Sequence, residues 1–168
     1  MFGQKKYVKK LRLQVGIKLE CEIMIQGLQY KIKELNDTIL ANKNYNKKSS
    51  NILTYERLLM KKTEKESFLE NSKFVDPNAL SLSAQVYSPS AVKFAKKELN
   101  DIHQQIIDLI QKDKDVEKFA EYTHASQEKA DKQKKINFYQ IKLNSSKIQA
   151  NQLKAKIRKI PEDLKEYM

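Results

Sequence analysis

Two histidines, His103 and His124, and one cysteine, Cys21, bound the chemistry open to this 168-residue chain. A Ser-His-Asp or Cys-His nucleophilic site would have to use one of those histidines. The carboxylates that would have to orient it are scattered among lysines, and nothing nominates an acid-base pair. A single thiol excludes an intramolecular disulfide and a cysteine-built zinc cluster. Cys21 falls in an apolar run, where it reads as a small buried hydrophobe. Glu121-x-x-His124 has the spacing used by di-iron carboxylate bundles. Such sites need two copies and further inward carboxylates, whereas this chain has one copy, in its most hydrophilic stretch. The glycines, Gly3, Gly16 and Gly27, lie too far apart to form a phosphate-cradling loop. The reading is of a chain that is not an enzyme, with no catalytic, cofactor-binding or metal-binding residue nominated.

Charge is the stronger signal. There are 33 Lys and Arg against 21 Asp and Glu, a net charge of +12, and only Arg12, Arg57 and Arg158 are arginine. Lysine is a mobile point charge suited to diffuse attraction, while the planar fork of arginine suits bidentate readout of bases or phosphates. From Lys132 to Ile160 nine bases occur without one acid: Lys132, Lys134, Lys135, Lys142, Lys147, Lys154, Lys156, Arg158 and Lys159. These are the electrostatic partner-binding candidates, for an acidic protein face, a phosphate backbone or an anionic lipid surface. A second basic cluster runs from Lys5 to Arg12 around Tyr7. The plain alternative for both is a solvated helix face in a lysine-rich chain.

The elements that carry these charges read as helices, because turn residues are scarce and apolar residues recur at helical spacing. Cys21, Ile25, Leu28, Ile32, Leu35 and Ile39 step by four and three, the 3.5-residue repeat of a coiled-coil seam. The polar run from Asn42 to Asn51 ends that helix. A second, capped by Ser50 or Asn51, follows from Ile52 to Leu69, with Ile52, Tyr55, Leu59 and Leu69 on one face. Ser88 or Ser90 caps a third, in which Ala95, Leu99, Ile102, Ile106 and Leu109 repeat the seam. A last seam, Ile136, Tyr139, Leu143, Ser146, Ala150, Leu153, Ile157 and Ile160, runs in a different frame, which predicts a bend near His124–Gln127. Pro161 is expected to stop that helix. On it Ile141, Ile148 and Ala155 make a second apolar series. Leu143, Ile148, Leu153 and Ile157 are the helix-packing candidates, on this chain or on a partner.

Two segments are ambiguous. Leu11, Leu13, Val15, Ile17, Leu19, Cys21, Ile23 and Ile25 alternate with mostly polar residues as a strand would, yet Tyr7, Val8, Leu11, Val15 and Leu19 also share one helical face. A strand here would dock on 80–86 or on another protein. Residues 77–92 carry no charge, and Asp76-Pro77-Asn78 reads as a turn, so this is the expected hinge. Within it Leu80, Leu82, Ala84 and Val86 alternate as a short strand would, while Asp76 as cap with Pro77 in the first turn would equally start a short helix. The expected organisation is a basic segment over 1–19, helix or docking strand; a helical hairpin over 20–72; and a hinge over 73–91. A long coiled-coil helix or helix pair over 92–160 and a tail over 161–168 complete it. The fold class is mainly α, with a short strand pair as the variant.

This pattern points to a non-catalytic structural or adaptor subunit of a large intracellular assembly, binding acidic macromolecular partners through basic helices and coiled-coil seams. Its expected partners are protein subunits, with nucleic acid or a ribosome as the alternative, and a homodimer is compatible with the seams. No apolar stretch approaches the roughly 18 residues of a membrane span. The basic, acid-free stretch Met1–Leu19 lacks the apolar run of a secretory signal, so a cytoplasmic, cytoskeletal or mitochondrial location is expected and secretion is not. Met1-Phe2-Gly3 followed by a basic helical hairpin resembles the start of ESCRT-III proteins, which would imply a peripheral membrane-remodelling role. That family turns acidic in its C-terminal half, where this chain is most basic.

Overall fold

The computed structural model describes residues 2–76 and 78–167. Among them all regular structure is helical: α1 (Phe2–Asn42), α2 (Ser50–Ser72), α3 (Leu82–Val86), α4 (Pro89–Lys112), α5 (Lys114–Lys154) and α6 (Glu162–Lys165). The chain divides into two compact units. Unit 1 is Met1–Leu40 with His124–Met168, and unit 2 is Ala41–Thr123.

The mainly α reading holds and its strand variant does not. Residues 11–25 lie inside α1, and no strand occurs among the described residues. Of the eight alternating positions, α1 buries Leu11, Val15, Cys21 and Ile25 and half-buries Ile17 and Leu19. Leu13 and Ile23 are left exposed. A strand of that length would need a ladder partner for its N–H and C=O groups, whereas a helix satisfies them internally. The supposed partner strand is also helical: Ser81 caps α3 by accepting from Ala84 N at 3.1 Å.

In unit 1, α1 and α5 run antiparallel. Gln4 hydrogen-bonds the backbone of Lys156, and Ser146 Oγ donates to Gln14 O at 2.8 Å, so rising numbers on one helix meet falling numbers on the other. That bond satisfies Ser146, a buried polar residue in the middle of the apolar seam. Two clusters fill this interface. One joins Cys21, Ile25 and Leu28 to Ile136 and Leu143; the other joins Leu11 and Val15 to Ile157 and Leu164. The sequence places the 20–42 helix in a hairpin with the next one. In the structure, the buried residues of α1 cluster with those of α5.

Unit 2 is built on α2 and α4. Lys65 of α2 stands against Glu98 of α4, and the Phe68 and Tyr87 rings lie 4.9 Å apart, while Ile52 and Tyr55 pack beside Ile106, Leu109 and Ile110. These pairings make α2 and α4 antiparallel. Val116 and Phe119, from the first turns of α5, complete the cluster. On α2 the buried residues are Ile52, Tyr55 and Leu58, with Leu59 only half-buried. Ser49, one residue before the expected caps, precedes α2 and makes no side-chain cap bond. Ser88 caps α4 as expected, accepting from Ala91 N, with Pro89 in the first turn.

The break in the C-terminal half falls at Asp113, and His124–Gln127 are continuous helix within α5. Asp113 is extended, at φ −130° and ψ 115°. Its Oδ1 accepts from Asp115 N at 2.9 Å, and its Oδ2 accepts from Asn51 Nδ2 at 2.9 Å and Ser49 Oγ at 3.3 Å. One side chain thus caps α5 and ties it to the start of α2, which compensates for the backbone bonds lost at the break. A last helix running to Pro161 is also not found: α5 ends at Lys154, and Pro161 precedes α6. In the expected hinge, Asp76 Oδ1 accepts from Asn78 N at 2.9 Å. Pro77 lies outside the described residues.

Candidate functional site

The antiparallel packing of unit 1 gathers charges that are far apart in sequence. The first turns of α1 bury Leu11 and Val15 and half-bury Tyr7 and Val8, which leaves Lys5, Lys6, Lys9, Lys10 and Arg12 exposed. Against this end lie the last turns of α5 and the segment after it, carrying Lys147, Lys154, Lys156, Arg158 and Lys159. Gln4 fastens the two: its Nε2 donates to Lys156 O at 3.0 Å, and its Oε1 accepts from Arg158 N at 3.1 Å. Lys156 Nζ also sits over the Tyr7 ring, 5.6 Å from its centroid. The N-terminal basic cluster and the C-terminal part of the second, from Lys147 to Lys159, therefore share one surface.

The segment after α5 folds back onto this surface. Leu164 of α6 is buried with Leu11, Val15 and Ile157, and Asp163 pairs with Arg12 at 3.2 Å. Lys18 Nζ donates to Tyr167 O at 3.3 Å. Between α1, α5 and Tyr167 lies a depression of about 190 Å³, lined by Gln14, Lys18, Lys147, Asn151 and Lys154 among others. Amines from two helices converge there, which suits an anionic group.

The remaining basic candidates stand elsewhere on α5. Lys134, Lys135 and Lys142 are exposed, and half-buried Lys132 lines a shallow depression with Glu128 and with Lys31 and Glu34 of α1. The helix-packing candidates divide. Leu143 and Ile157 are buried in the clusters of unit 1 and Leu153 packs against the second, so these three complete the chain's own core. Ile148 is 58% exposed, as are Ile141 at 72% and Phe138 at 61%. They form an uncovered apolar stripe on the side of α5 away from its buried seam. The sequence reading missed Phe138, although its spacing of three from Ile141 was available as a signal. It also missed the meeting of the N-terminal basic cluster with the bases from Lys147 to Lys159, for which sequence holds no local signal.

The groups that could do chemistry are dispersed. His124 is exposed with its Nε2 3.8 Å from Glu128 Oε1, His103 is half-buried on α4, and the Cys21 thiol is buried in the core. Among the described residues no three His, Cys, Asp or Glu side chains converge as metal ligands. Nor is any described helix long and apolar enough to cross a membrane. Two titrating groups are displaced, both in unit 2. Burial pushes the Tyr55 hydroxyl up, and the hydrogen bonds from Asn51 and the Asp115 backbone hold the Asp113 carboxyl down. No family model matches the chain, and comparison with curated proteins and with solved structures returned no significant match.

Proposed function

We propose that this protein is a non-catalytic structural or adaptor subunit of a large intracellular assembly, and that unit 1 is its docking surface for an acidic partner. The observation that carries this reading is the convergence of Lys5–Arg12 with Lys154–Lys159 at one end of α1 and α5. Ten bases share that end, Lys5, Lys6, Lys9, Lys10, Arg12, Lys147, Lys154, Lys156, Arg158 and Lys159, and Asp163 pairs with one of them. Repulsion within such a surface is relieved by an acidic ligand, so the charge favours association with a partner over self-association.

The stripe of Phe138, Ile141 and Ile148 supplies the apolar half of the contact. We read the packing along α1 and α5 as coiled-coil-type, with this outer stripe as the seam a partner helix would close. Lys134 and Lys142, both exposed beside it, favour a helix with acidic flanks. Nucleic acid is the second reading, because the same basic end would hold a phosphate backbone, and lysine dominance would make such binding insensitive to base sequence.

The test is a pull-down of the tagged protein from its own cells at mild salt, with and without nuclease, read by mass spectrometry. Protein partners at constant stoichiometry that survive nuclease and are lost on Lys156→Glu with Arg158→Glu support the docking reading. Loss of every partner on nuclease treatment overturns it in favour of nucleic acid.

A further inference from the structure

The segment between α2 and α4 exposes large apolar side chains that nothing in unit 2 covers. Phe74 is 82% exposed, Leu82 78%, Val86 53%, and Leu80 fully. The segment is nevertheless ordered from beneath. Ala84 of α3 is buried, and the Tyr87 ring packs on Phe68 at 4.9 Å. Several of its backbone N–H groups bond within the segment. Asn78 N and Ala79 N bond to Asp76, Ala84 N to Ser81 Oγ, Gln85 N to Ser81 O, and Tyr87 N to Ser83 O. Between Lys73 and Lys93 the one charge is Asp76, whose carboxylate is already engaged by Asn78 N. Exposed lysines follow at Lys93, Lys96 and Lys97, in the early turns of α4.

An exposed apolar, nearly uncharged segment followed by three exposed lysines matches the chemistry of the boundary between lipid headgroups and acyl chains. There apolar side chains are stabilised by leaving water, and cations are attracted to acidic headgroups. The four exposed side chains are spread over the turn after α2, the irregular segment before α3, and the single helical turn of α3. They present no continuous ridge for a protein groove, and a bilayer requires none. We propose that the tip around Phe74, Leu80, Leu82 and Val86 inserts shallowly into an anionic membrane surface, with Lys93, Lys96 and Lys97 against the headgroups. This stands apart from the docking surface of unit 1 and does not depend on it.

The chain has no tryptophan, so Phe74→Trp places a single indole reporter on the tip. The full chain carrying that substitution would be mixed with vesicles of phosphatidylcholine alone and of phosphatidylcholine with phosphatidylserine. The expected result is a blue-shifted emission and co-sedimentation with the mixed vesicles. Adding Leu80→Ser and Leu82→Ser should weaken binding by about tenfold or more, because each side chain loses its transfer from water. Adding Lys93→Gln, Lys96→Gln and Lys97→Gln should remove the preference for phosphatidylserine. All of these positions are exposed, so circular dichroism and the melting temperature should be unchanged. An emission that stays unshifted with both vesicle types overturns the proposal. So does binding that ignores the leucine substitutions and disappears with Lys156→Glu and Arg158→Glu, since it then runs through the basic end of unit 1.

Discussion

At the scale of single residues, a few side chains carry much of the structure, and they are not the ones with the most reactive chemistry. Leu11 is fully buried where α1 meets Ile157 and Leu164. Leu11→Ala should therefore lower the stability of unit 1 by about 2–5 kcal/mol, measured by urea denaturation, through lost burial and the cavity left behind. Asp113 has a different role, accepting bonds from Asn51, Ser49 and Asp115 N at the α4–α5 break. Those bonds hold its folded carboxyl below the ordinary value, so its contribution is present at neutral pH and lost as pH falls through the lowered folded value. The urea midpoint of Asp113→Ala should lie below that of the wild type at neutral pH, and the gap should close in acid. Equal gaps at both pH values would assign the effect to shape rather than charge. Neither role is legible in the sequence, because the bonds from Ser49 and Asn51 to Asp113 and the cluster around Leu11 are made by residues distant along the chain.

At the scale of elements, the helices were legible and their ends were less so. Ser88 followed by Pro89 marked the start of α4 because both the cap and the first-turn proline act locally. Ser88→Ala should cost about 0.5–2 kcal/mol in the denaturation of unit 2. The Leu11–Ile25 alternation was ambiguous for a physical reason. Its apolar residues are frequent enough to match periods of 2 and 3.6 together, and only the absence of a ladder partner decides for the helix. The same helix carries Gly16 and Gly27 in its interior, both exposed, with nothing within 4 Å of an added Cβ. Gly16→Ala and Gly27→Ala should each stabilise the isolated protein by about 0.5–1 kcal/mol, read as a higher urea midpoint, because alanine loses less backbone entropy in a helix. A lower midpoint would show that the glycines are needed for packing within the chain.

At the scale of the whole molecule, each unit has its own core. Unit 1 closes on Leu11, Cys21, Leu143 and Ile157, and unit 2 on Ile52, Tyr55, Val116 and Phe119. Leu11→Ala should accordingly speed amide hydrogen exchange in 1–40 and 124–168 more than in 41–123, and Val116→Ala should do the reverse. Uniform acceleration by either substitution would mean that the two cores open as one cooperative unit. The candidate site belongs to this scale as well. Lys5–Arg12 and Lys154–Lys159 were each visible as basic runs, while their union rests on the antiparallel course of α1 and α5, along which the two apolar clusters pack and Gln4 and Ser146 bond across.

Composition and periodicity by themselves determined that this chain is helical, strongly basic and poor in histidine and cysteine, because those properties are local or additive along the chain. They also determined which faces are apolar, since a side chain's face follows from its spacing. Only the tertiary structure decided which faces meet. The seams of α1 and α5 close on each other, leaving Phe138, Ile141 and Ile148 uncovered, while Phe74, Leu80, Leu82 and Val86 between α2 and α4 stay exposed. A heptad specifies that a helix needs a partner, but apolar burial is non-directional and nearly the same for any seam of matching length. The choice among seams is therefore made by particular long-range contacts, such as Ser146 with Gln14 O, that no local pattern contains.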